Sequence, residues 1–181
     1  MPGYVALSGV PGSGKSSVGR SLAERFEVRE IGDLAVATGL GRRERGVVTV
    51  DLAGVGRWIL QRPRPPRPTL LVGHLAHLLP VSGVVLLRCH PRELLRRLSR
   101  ARRGSKGDRT ANALCEATDL LLFEALERRP PIWEVDTTDR SVADVAREVA
   151  SILRRRPRPR FGRVHWLDDP WVTEHLLRRT H

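Results

Sequence analysis

The stretch LSGVPGSGKSS, residues 7–17, is rich in glycine and ends in a lysine followed by two hydroxyl side chains. Four of its residues have the spacing that is typical of phosphate-binding loops: Gly9, Gly14, Lys15 and Ser16. Glycines let the backbone turn its amide groups inward around phosphate oxygens, and a helix that begins there adds partial positive charge. We therefore expect the chain to bind ATP, with Lys15 at the terminal phosphates and the Ser16 hydroxyl as a ligand of Mg²⁺.

The lysine in this stretch is unusual for the composition of the chain. Of the 32 basic Lys and Arg residues, two are lysines, Lys15 and Lys106. The compact ammonium group of lysine acts as a movable point charge, which the planar fork of arginine does not replace. The use of lysine here favours a chemical role for Lys15. The alternative is a glycine-rich helix start in which the lysine has no role.

The sequence around the loop predicts the elements that must hold it in place. Residues 4–8, YVALS, form a short apolar run before the loop, and residues 15–26 carry apolar side chains at helical spacing. Residues 68–74 and 84–88 are apolar runs that do not alternate with polar residues, as in strands covered on both faces. We therefore predict an α/β fold with a parallel sheet between helices.

Other segments extend this pattern. Strands are predicted at residues 28–31, 47–52 and 132–138, and helices at residues 91–103, 109–128 and 141–155. In the last of these helices, four residues are expected to face inward: Val142, Val145, Val149 and Leu153. Residues 1–153 are thus predicted to form one domain, and residues 154–181 a basic linker with a short terminal helix that Asp169 caps.

The charge of the chain is +12 and is concentrated in two segments. Residues 88–109 contain nine basic and two acidic residues, and residues 154–163 contain six arginines and no acid. Such segments suit a nucleotide or the backbone of a nucleic acid, or they are a solvated basic surface. Prolines interrupt the second segment, so we expect residues 154–181 to be an exposed arm. Trp166 and Trp171 either stack on bases or dock the terminal helix, and docking is favoured.

Composition also argues against some classes of protein. No apolar run approaches the roughly 20 residues that span a membrane. The N-terminal residues have no pattern of a secretory leader. Cys89 and Cys115 are too few for a disulfide framework. A cytoplasmic protein with no membrane partner is expected.

The order of several motifs resembles the adenylate kinase isoenzyme 6 family. These motifs are GVPGSGKSS, EIGDLA, VGHLAHLLP, VVLLRCHP, RTANALCEATD and DTTDRSVADVAREV, and the resemblance covers about residues 3–153. The resemblance implies a P-loop NTPase with a parallel five-stranded sheet and helices on both faces, similar to nucleoside monophosphate kinases with a short lid. It also implies ATP and AMP as substrates, ATPase activity, and a role in small ribosomal subunit maturation with a ribosomal protein and rRNA as partners.

The resemblance also implies roles for particular residues. The triphosphate would contact the loop through Gly12, Gly14, Lys15, Ser16 and Ser17. The monophosphate side would extend over residues 32–51 and begin at Gly32 and Asp33. His74 matches a histidine near the attacking group, and Arg103 is the expected lid arginine within residues 99–109, with Arg100 and Arg102 left open. Asn112 and Glu116 match positions on the helix after the lid.

One residue departs from the family pattern. Two residues before His74, where the family has an acid at the end of a strand, this chain has Val72. An acid there holds magnesium through water, because this ion keeps much of its hydration shell. Magnesium is then held by Ser16, phosphates and water alone, or by an acid such as Asp33 that reaches into the site.

Three functions are compatible with these observations. The first is an AMP-dependent kinase with ATPase activity that assists ribosome assembly. The second is an RNA-binding or ribosomal-protein-binding factor whose ATP site is a switch with little kinase turnover. The third is a kinase for another small substrate, because the glycine loop alone does not select the acceptor.

Overall fold

The computed structural model of the protein describes residues 3–177. Its strands are β1 (Tyr4–Ser8), β2 (Glu27–Glu30), β3 (Gly41–Glu44), β4 (Val47–Val50), β5 (Thr69–Val72), β6 (Val84–Arg88) and β7 (Ile132–Asp136). Its helices are α1 (Lys15–Leu22), α2 (Ile31–Ala37), α3 (Leu52–Leu60), α4 (Pro91–Arg100), α5 (Lys106–Ala117), α6 (Leu120–Glu127) and α7 (Val142–Arg155). Five strands form one parallel sheet in the order β2-β5-β1-β6-β7, which confirms the predicted α/β fold.

Alternate residues of each central strand enter two different hydrophobic cores. In β1, Val5 and Leu7 belong to the core under α1 and α7, whereas Ala6 belongs to the core under α2, α3 and α6. Because both faces of the sheet are covered, neither set of side chains meets water. This burial explains why the strand sequences do not alternate between apolar and polar residues.

A small antiparallel hairpin precedes α3, which was not predicted in full. Strands β3 and β4 pair with Gly41 opposite Val50, and the segment predicted as one strand at residues 47–52 is the second half of this hairpin. The first half, GRRE, has no apolar periodicity and is exposed, so its sequence carries little strand signal.

The helix predicted over residues 109–128 is two helices, so this prediction was wrong. Asp119 between α5 and α6 has a φ of 56°, a left-handed conformation that ends the first helix. The Asp119 carboxylate pairs with the buried Arg88 guanidinium, which stabilises the break. Periodicity did not reveal the break, because apolar residues continue through it. Val142 was also predicted to face inward, but it is 44% exposed in the first turn of α7.

The C-terminal segment, residues 164–177, packs against α4 and α5. Val172 and Leu176 are buried in a core that also contains Leu94 and Leu98 of α4. The expectation of an exposed arm is therefore wrong for this segment. Burial of its apolar side chains lowers the free energy more than full solvation of the segment would. The terminal helix is a π-helix at Val172–Leu177, and its favoured docking agrees with this packing.

The basic linker before this segment, residues 154–163, is largely exposed, but its backbone is hydrogen-bonded to β7. Arg160 donates its backbone N–H to Ile132 and accepts from the N–H of Glu134, so the linker runs beside β7. In the C-terminal segment, the Asp169 carboxylate accepts a 2.7 Å hydrogen bond from the backbone N–H of Trp171, as expected for a cap. Across residues 3–177, no helix is both long enough and apolar enough to cross a membrane.

Candidate active site

The glycine loop, residues 9–16, connects β1 to α1 and forms the floor of the site. Gly9 is required by a close approach, because a Cβ there would lie 2.5 Å from the Leu87 carbonyl oxygen. Gly14 precedes α1 with a φ of 97°, which L side chains rarely adopt. The first turn of a helix leaves backbone N–H groups without intrahelical partners, and here these groups follow the loop directly. The local sequence therefore builds an anion-binding backbone.

Lys15 is the most strongly perturbed cation of this loop. Its Nζ donates a 2.9 Å hydrogen bond to the Val10 carbonyl, and the residue is only 9% exposed. The pKa of its ammonium group is lowered from 10.5 to about 8, mainly by burial; the carboxylates of Glu30 and Glu116 oppose this change, and the nearby Arg103 adds to it. A buried ammonium with little compensating charge is stabilised when phosphate groups bind beside it.

A cavity of about 690 Å³, which we call the loop cavity, opens above the glycine loop. Its wall brings together most of the predicted site residues: Gly12, Gly14, Lys15, Ser16, Ser17, His74 and Arg103. Sequence analysis did not foresee three further arginines in this wall: Arg20, Arg97 and Arg140. Such a concentration of cations favours a ligand with several negative charges.

The three candidate lid arginines differ in position. Arg103 lies in the wall of the loop cavity and is close enough to Lys15 to lower its pKa, whereas Arg100 and Arg102 are not among the described residues that form this wall. Residues 101–105 connect α4 to α5 and are exposed. Arg102 and Gly104, on either side of Arg103, have positive φ values of 50° and 68°.

His74 follows β5 at the rim of the loop cavity. Desolvation and then the Lys15 and His77 charges lower the pKa of His74 below 6.5. The imidazole is therefore neutral at pH 7 and can accept a proton. His77, one turn further on, is fully buried between the Ser8 hydroxyl at 2.8 Å and the Glu124 carboxylate at 2.8 Å, as expected for a structural histidine.

Asp33 lies apart from the glycine loop. Its carboxylate pairs with Arg43 at 2.6 Å and lies in the wall of a second cavity of about 420 Å³. Arg20 and Glu30 line both cavities, so the two are adjacent. The predicted role of Asp33 in nucleotide binding stays a prediction.

Between β6, β7 and α5 lies a buried ionic cluster that sequence analysis missed. Arg88, which is 2% exposed, donates to the carboxylates of Glu116, Asp119 and Glu134. The Glu116 carboxylate also accepts from the Cys89 backbone N–H and from Trp166 Nε1 at 2.8 Å. Burial alone would lower the pKa of Arg88, but the three carboxylates raise it, so the guanidinium stays charged.

The residues present are compatible with magnesium bound together with a nucleotide. Among residues 3–177, no cluster of three or more His, Cys, Asp and Glu side chains is arranged to hold a metal ion. The loop cavity does present oxygen groups, the Ser16 hydroxyl and the Glu30 carboxylate. Magnesium binds oxygen, keeps several waters and takes phosphate oxygens as ligands, so this donor set fits it only when phosphates are also bound.

The parallel sheet, the glycine loop and the basic cavity at the carboxyl ends of the strands define a P-loop protein with a fold like that of the nucleoside monophosphate kinases. Residues 5–119 match the family described as AAA domain. A protein of Thermococcus onnurineus called "Putative adenylate kinase" is 35% identical over 167 residues, which cover 91% of this chain and 92% of the relative. A protein of the same name from Archaeoglobus fulgidus is 34% identical over 171 residues, 91% of this chain and 92% of the relative. The chain therefore belongs to the AAA domain family and to the kinase family of these archaeal relatives.

Solved structures support the fold at lower identity. A shikimate kinase from Acinetobacter baumannii, in complex with shikimate, has a TM-score of 0.59 at 18% identity, over 86% of this chain and 94% of that chain. A gluconokinase from Sinorhizobium meliloti 1021 has a TM-score of 0.50 at 22% identity, over 85% of this chain and 93% of that chain. Kinases of different small substrates thus share this fold.

Proposed function

We propose that this protein is a nucleoside monophosphate kinase that transfers the terminal phosphoryl group of ATP to AMP, with slower ATP hydrolysis when no acceptor is bound. The observation that carries the proposal is the position of Lys15 in a glycine loop, facing a cavity whose wall contains Arg20, Arg97, Arg103 and Arg140. The names of the archaeal relatives and the resemblance to the adenylate kinase isoenzyme 6 family support AMP as the acceptor.

Phosphoryl transfer requires positioning and positive charge from the protein, and little covalent chemistry. Lys15 holds the terminal phosphates from the loop, and Arg103, which lines the same cavity, contacts the transferred group. Charge that builds up on this group in the transition state is stabilised by the Lys15 ammonium, which is already desolvated. The neutral His74 at the rim accepts a hydrogen bond or proton from the attacking group, which is the AMP phosphate or a water molecule.

Magnesium, when bound with ATP, neutralises charge on the phosphates, and Ser16 is the loop residue that would hold it. The second cavity, adjacent to the first through Arg20 and Glu30, offers space for the acceptor. Closure of residues 101–105 over the nucleotide excludes water and thereby favours AMP over water as the acceptor.

The test is a coupled assay of ADP formation from ATP, with AMP, with each of the other nucleoside monophosphates, and with no acceptor. We expect AMP to raise the rate at least tenfold over hydrolysis alone. Lys15→Ala is expected to abolish turnover, and Arg25→Ala, which changes an exposed residue after α1, is expected to leave it unchanged. A rate that does not respond to any monophosphate, or that survives Lys15→Ala, contradicts the proposal.

A role in small ribosomal subunit maturation stays a prediction from the family resemblance. The basic linker, residues 154–163, is the part of the tail that is exposed enough to contact rRNA. Binding of a labelled rRNA fragment at two salt concentrations tests this role, because contacts to phosphates weaken steeply with salt.

A further inference from the structure

The wall of the loop cavity contains a single acidic side chain among the residues that the structure describes. This side chain is Glu30, the last residue of β2. All the other ionisable groups of the wall are basic: Lys15, Arg20, His74, Arg97, Arg103 and Arg140. A carboxylate repels bound phosphates, so its presence here weakens phosphate binding. A carboxylate that is kept at such a position therefore points to another role.

Glu30 lies where a neighbouring strand ends beside the glycine loop. Strands β2 and β5 are adjacent, and their register pairs Glu30 with Val72. In P-loop proteins an acid on a strand next to the loop holds magnesium together with the loop hydroxyl. Val72 is fully buried and packs against Gly19, with its Cγ2 3.1 Å from the position a Cβ would take, and it has no oxygen to offer.

The other acids on this side of the sheet are already engaged. Asp33 pairs with Arg43 at 2.6 Å, and Glu27 pairs with Arg29 and accepts from the Thr69 hydroxyl. Within residues 3–177, no basic side chain forms an ion pair with Glu30. Burial lowers the pKa of Lys15, and Glu30 is the strongest of the charges that oppose it, so the two groups are within electrostatic reach.

We propose that Glu30 organises the water shell of the magnesium ion at this site, beside the Ser16 hydroxyl, and thereby replaces the acid that is missing at Val72. The inference rests on the proposed function. Magnesium keeps several of its waters, so a carboxylate in the cavity wall can accept hydrogen bonds from them without touching the ion. Glu30 is thus a positioning residue, since it acts on the nucleotide through the metal.

The test compares full-length wild type with Glu30→Gln and with Glu24→Gln. Glu24 is an exposed acid in the turn after α1 and lines neither cavity, so this control removes the same charge without touching the site. Binding of Mn²⁺ in the presence of ADP is measured from the electron paramagnetic resonance signal of free Mn²⁺. Binding of ATP is measured by calorimetry, with magnesium and with a chelator.

Two opposite changes are expected for Glu30→Gln. Mn²⁺ affinity falls by about tenfold or more, as for residues that orient metal ligands. Affinity for metal-free ATP rises by roughly threefold, because a repelling carboxylate is gone. Glu24→Gln changes neither quantity.

Other outcomes overturn the inference. Unchanged Mn²⁺ affinity shows that the metal does not use Glu30, and a parallel loss of both affinities shows a structural role. If Glu30→Gln does not fold, Glu30→Asp takes its place, because aspartate keeps the charge on a shorter side chain. This variant is expected to lose Mn²⁺ affinity while its affinity for metal-free ATP stays the same. Unchanged Mn²⁺ affinity of Glu30→Asp rejects the proposal. Failure of the proposed function is a different result, because wild type itself then binds no ATP or does not respond to AMP.

Discussion

Replacement of Lys15 by methionine should stabilise the protein while abolishing ATP binding. Methionine has a similar length and no charge, so it fills the same space without an ammonium group that must be desolvated. The residue is only 9% exposed, and burial is the largest influence on its pKa. The fold therefore holds a cation at a position where an apolar residue is more stable, as expected for a group that is retained for function.

The size of the effect follows from the pKa of Lys15. A change from 10.5 to about 8 corresponds to about 3 kcal/mol, at about 1.4 kcal/mol for each factor of ten in the ionisation constant. Loss of the hydrogen bond to the Val10 carbonyl reduces this gain in stability by about 1 kcal/mol. That carbonyl still accepts from the Ser13 N–H at 3.1 Å, so it does not become unsatisfied. We expect a net gain of about 2 kcal/mol in the free energy of unfolding at pH 7.

The same pKa predicts how this gain depends on pH. Between about pH 8 and pH 10.5 the unfolded chain keeps the Lys15 proton and the folded protein has lost it. The unfolded state then binds more protons, so the stability of wild type rises with pH relative to the variant. Urea unfolding of both proteins across this range, without nucleotide, should show the difference shift by about 3 kcal/mol in favour of wild type, so that the variant is the less stable of the two by about 1 kcal/mol above pH 10.5.

Nucleotide binding should show the opposite trend. Phosphates bind the protonated ammonium, so the ATP affinity of wild type should fall with pH above about pH 8, approaching tenfold per pH unit. A Lys15→Met protein that is less stable than wild type at pH 7, or a stability gap that does not change with pH, would refute the reasoning.

Three further predictions test other parts of the structure. Arg88→Met should lower the free energy of unfolding by about 3–5 kcal/mol, because it leaves three carboxylates without their shared cation. Urea unfolding measures this loss, and a loss below about 1 kcal/mol contradicts a stabilising role of the ionic cluster. Leu176→Ala should lower stability by about 2 kcal/mol, whereas Glu174→Ala beside it should change it by less than about 0.5 kcal/mol; equal effects would argue against docking of the C-terminal segment. Arg103→Ala should lower the kcat of ADP formation by at least tenfold and Arg102→Ala by less than threefold, since Arg103 lines the loop cavity; the reverse order would assign the lid role to the other arginine.

The sequence predicted the parts of the site that depend on local chemistry. A phosphate-binding loop needs glycine, lysine and a hydroxyl at fixed spacing, so residues 9–16 can be recognised as such a loop without knowledge of the fold. The apolar runs at 68–74 and 84–88 likewise identify strands of a covered sheet. Boundaries were harder, as the break at Asp119 shows, because an apolar pattern can continue through a change of direction.

Features that depend on pairing between distant segments were missed. Glu30 reaches the loop cavity because β2 pairs with β5, and no motif in EVREIGD marks that register. Arg88 was counted in a basic surface segment, yet it is buried with acids that lie 28 to 46 residues later in the chain. The charge of the linker suggested an exposed tail, whereas burial of Val172 and Leu176 decides where the C-terminal segment lies.

The docked C-terminal segment restricts which part of the predicted lid, residues 99–109, can move. Val172 and Leu176 share one buried core with Val10 of the glycine loop and with side chains of α4 and α5. Swinging either helix away would expose this core, at about 25 cal/mol for each Å² of apolar surface. A capping box between Ser105 and Asp108 also fixes the start of α5. Motion that brings Arg103 over a bound nucleotide is therefore expected to be confined to residues 101–105, and a loop this short can close without breaking the packing that holds the glycine loop in place.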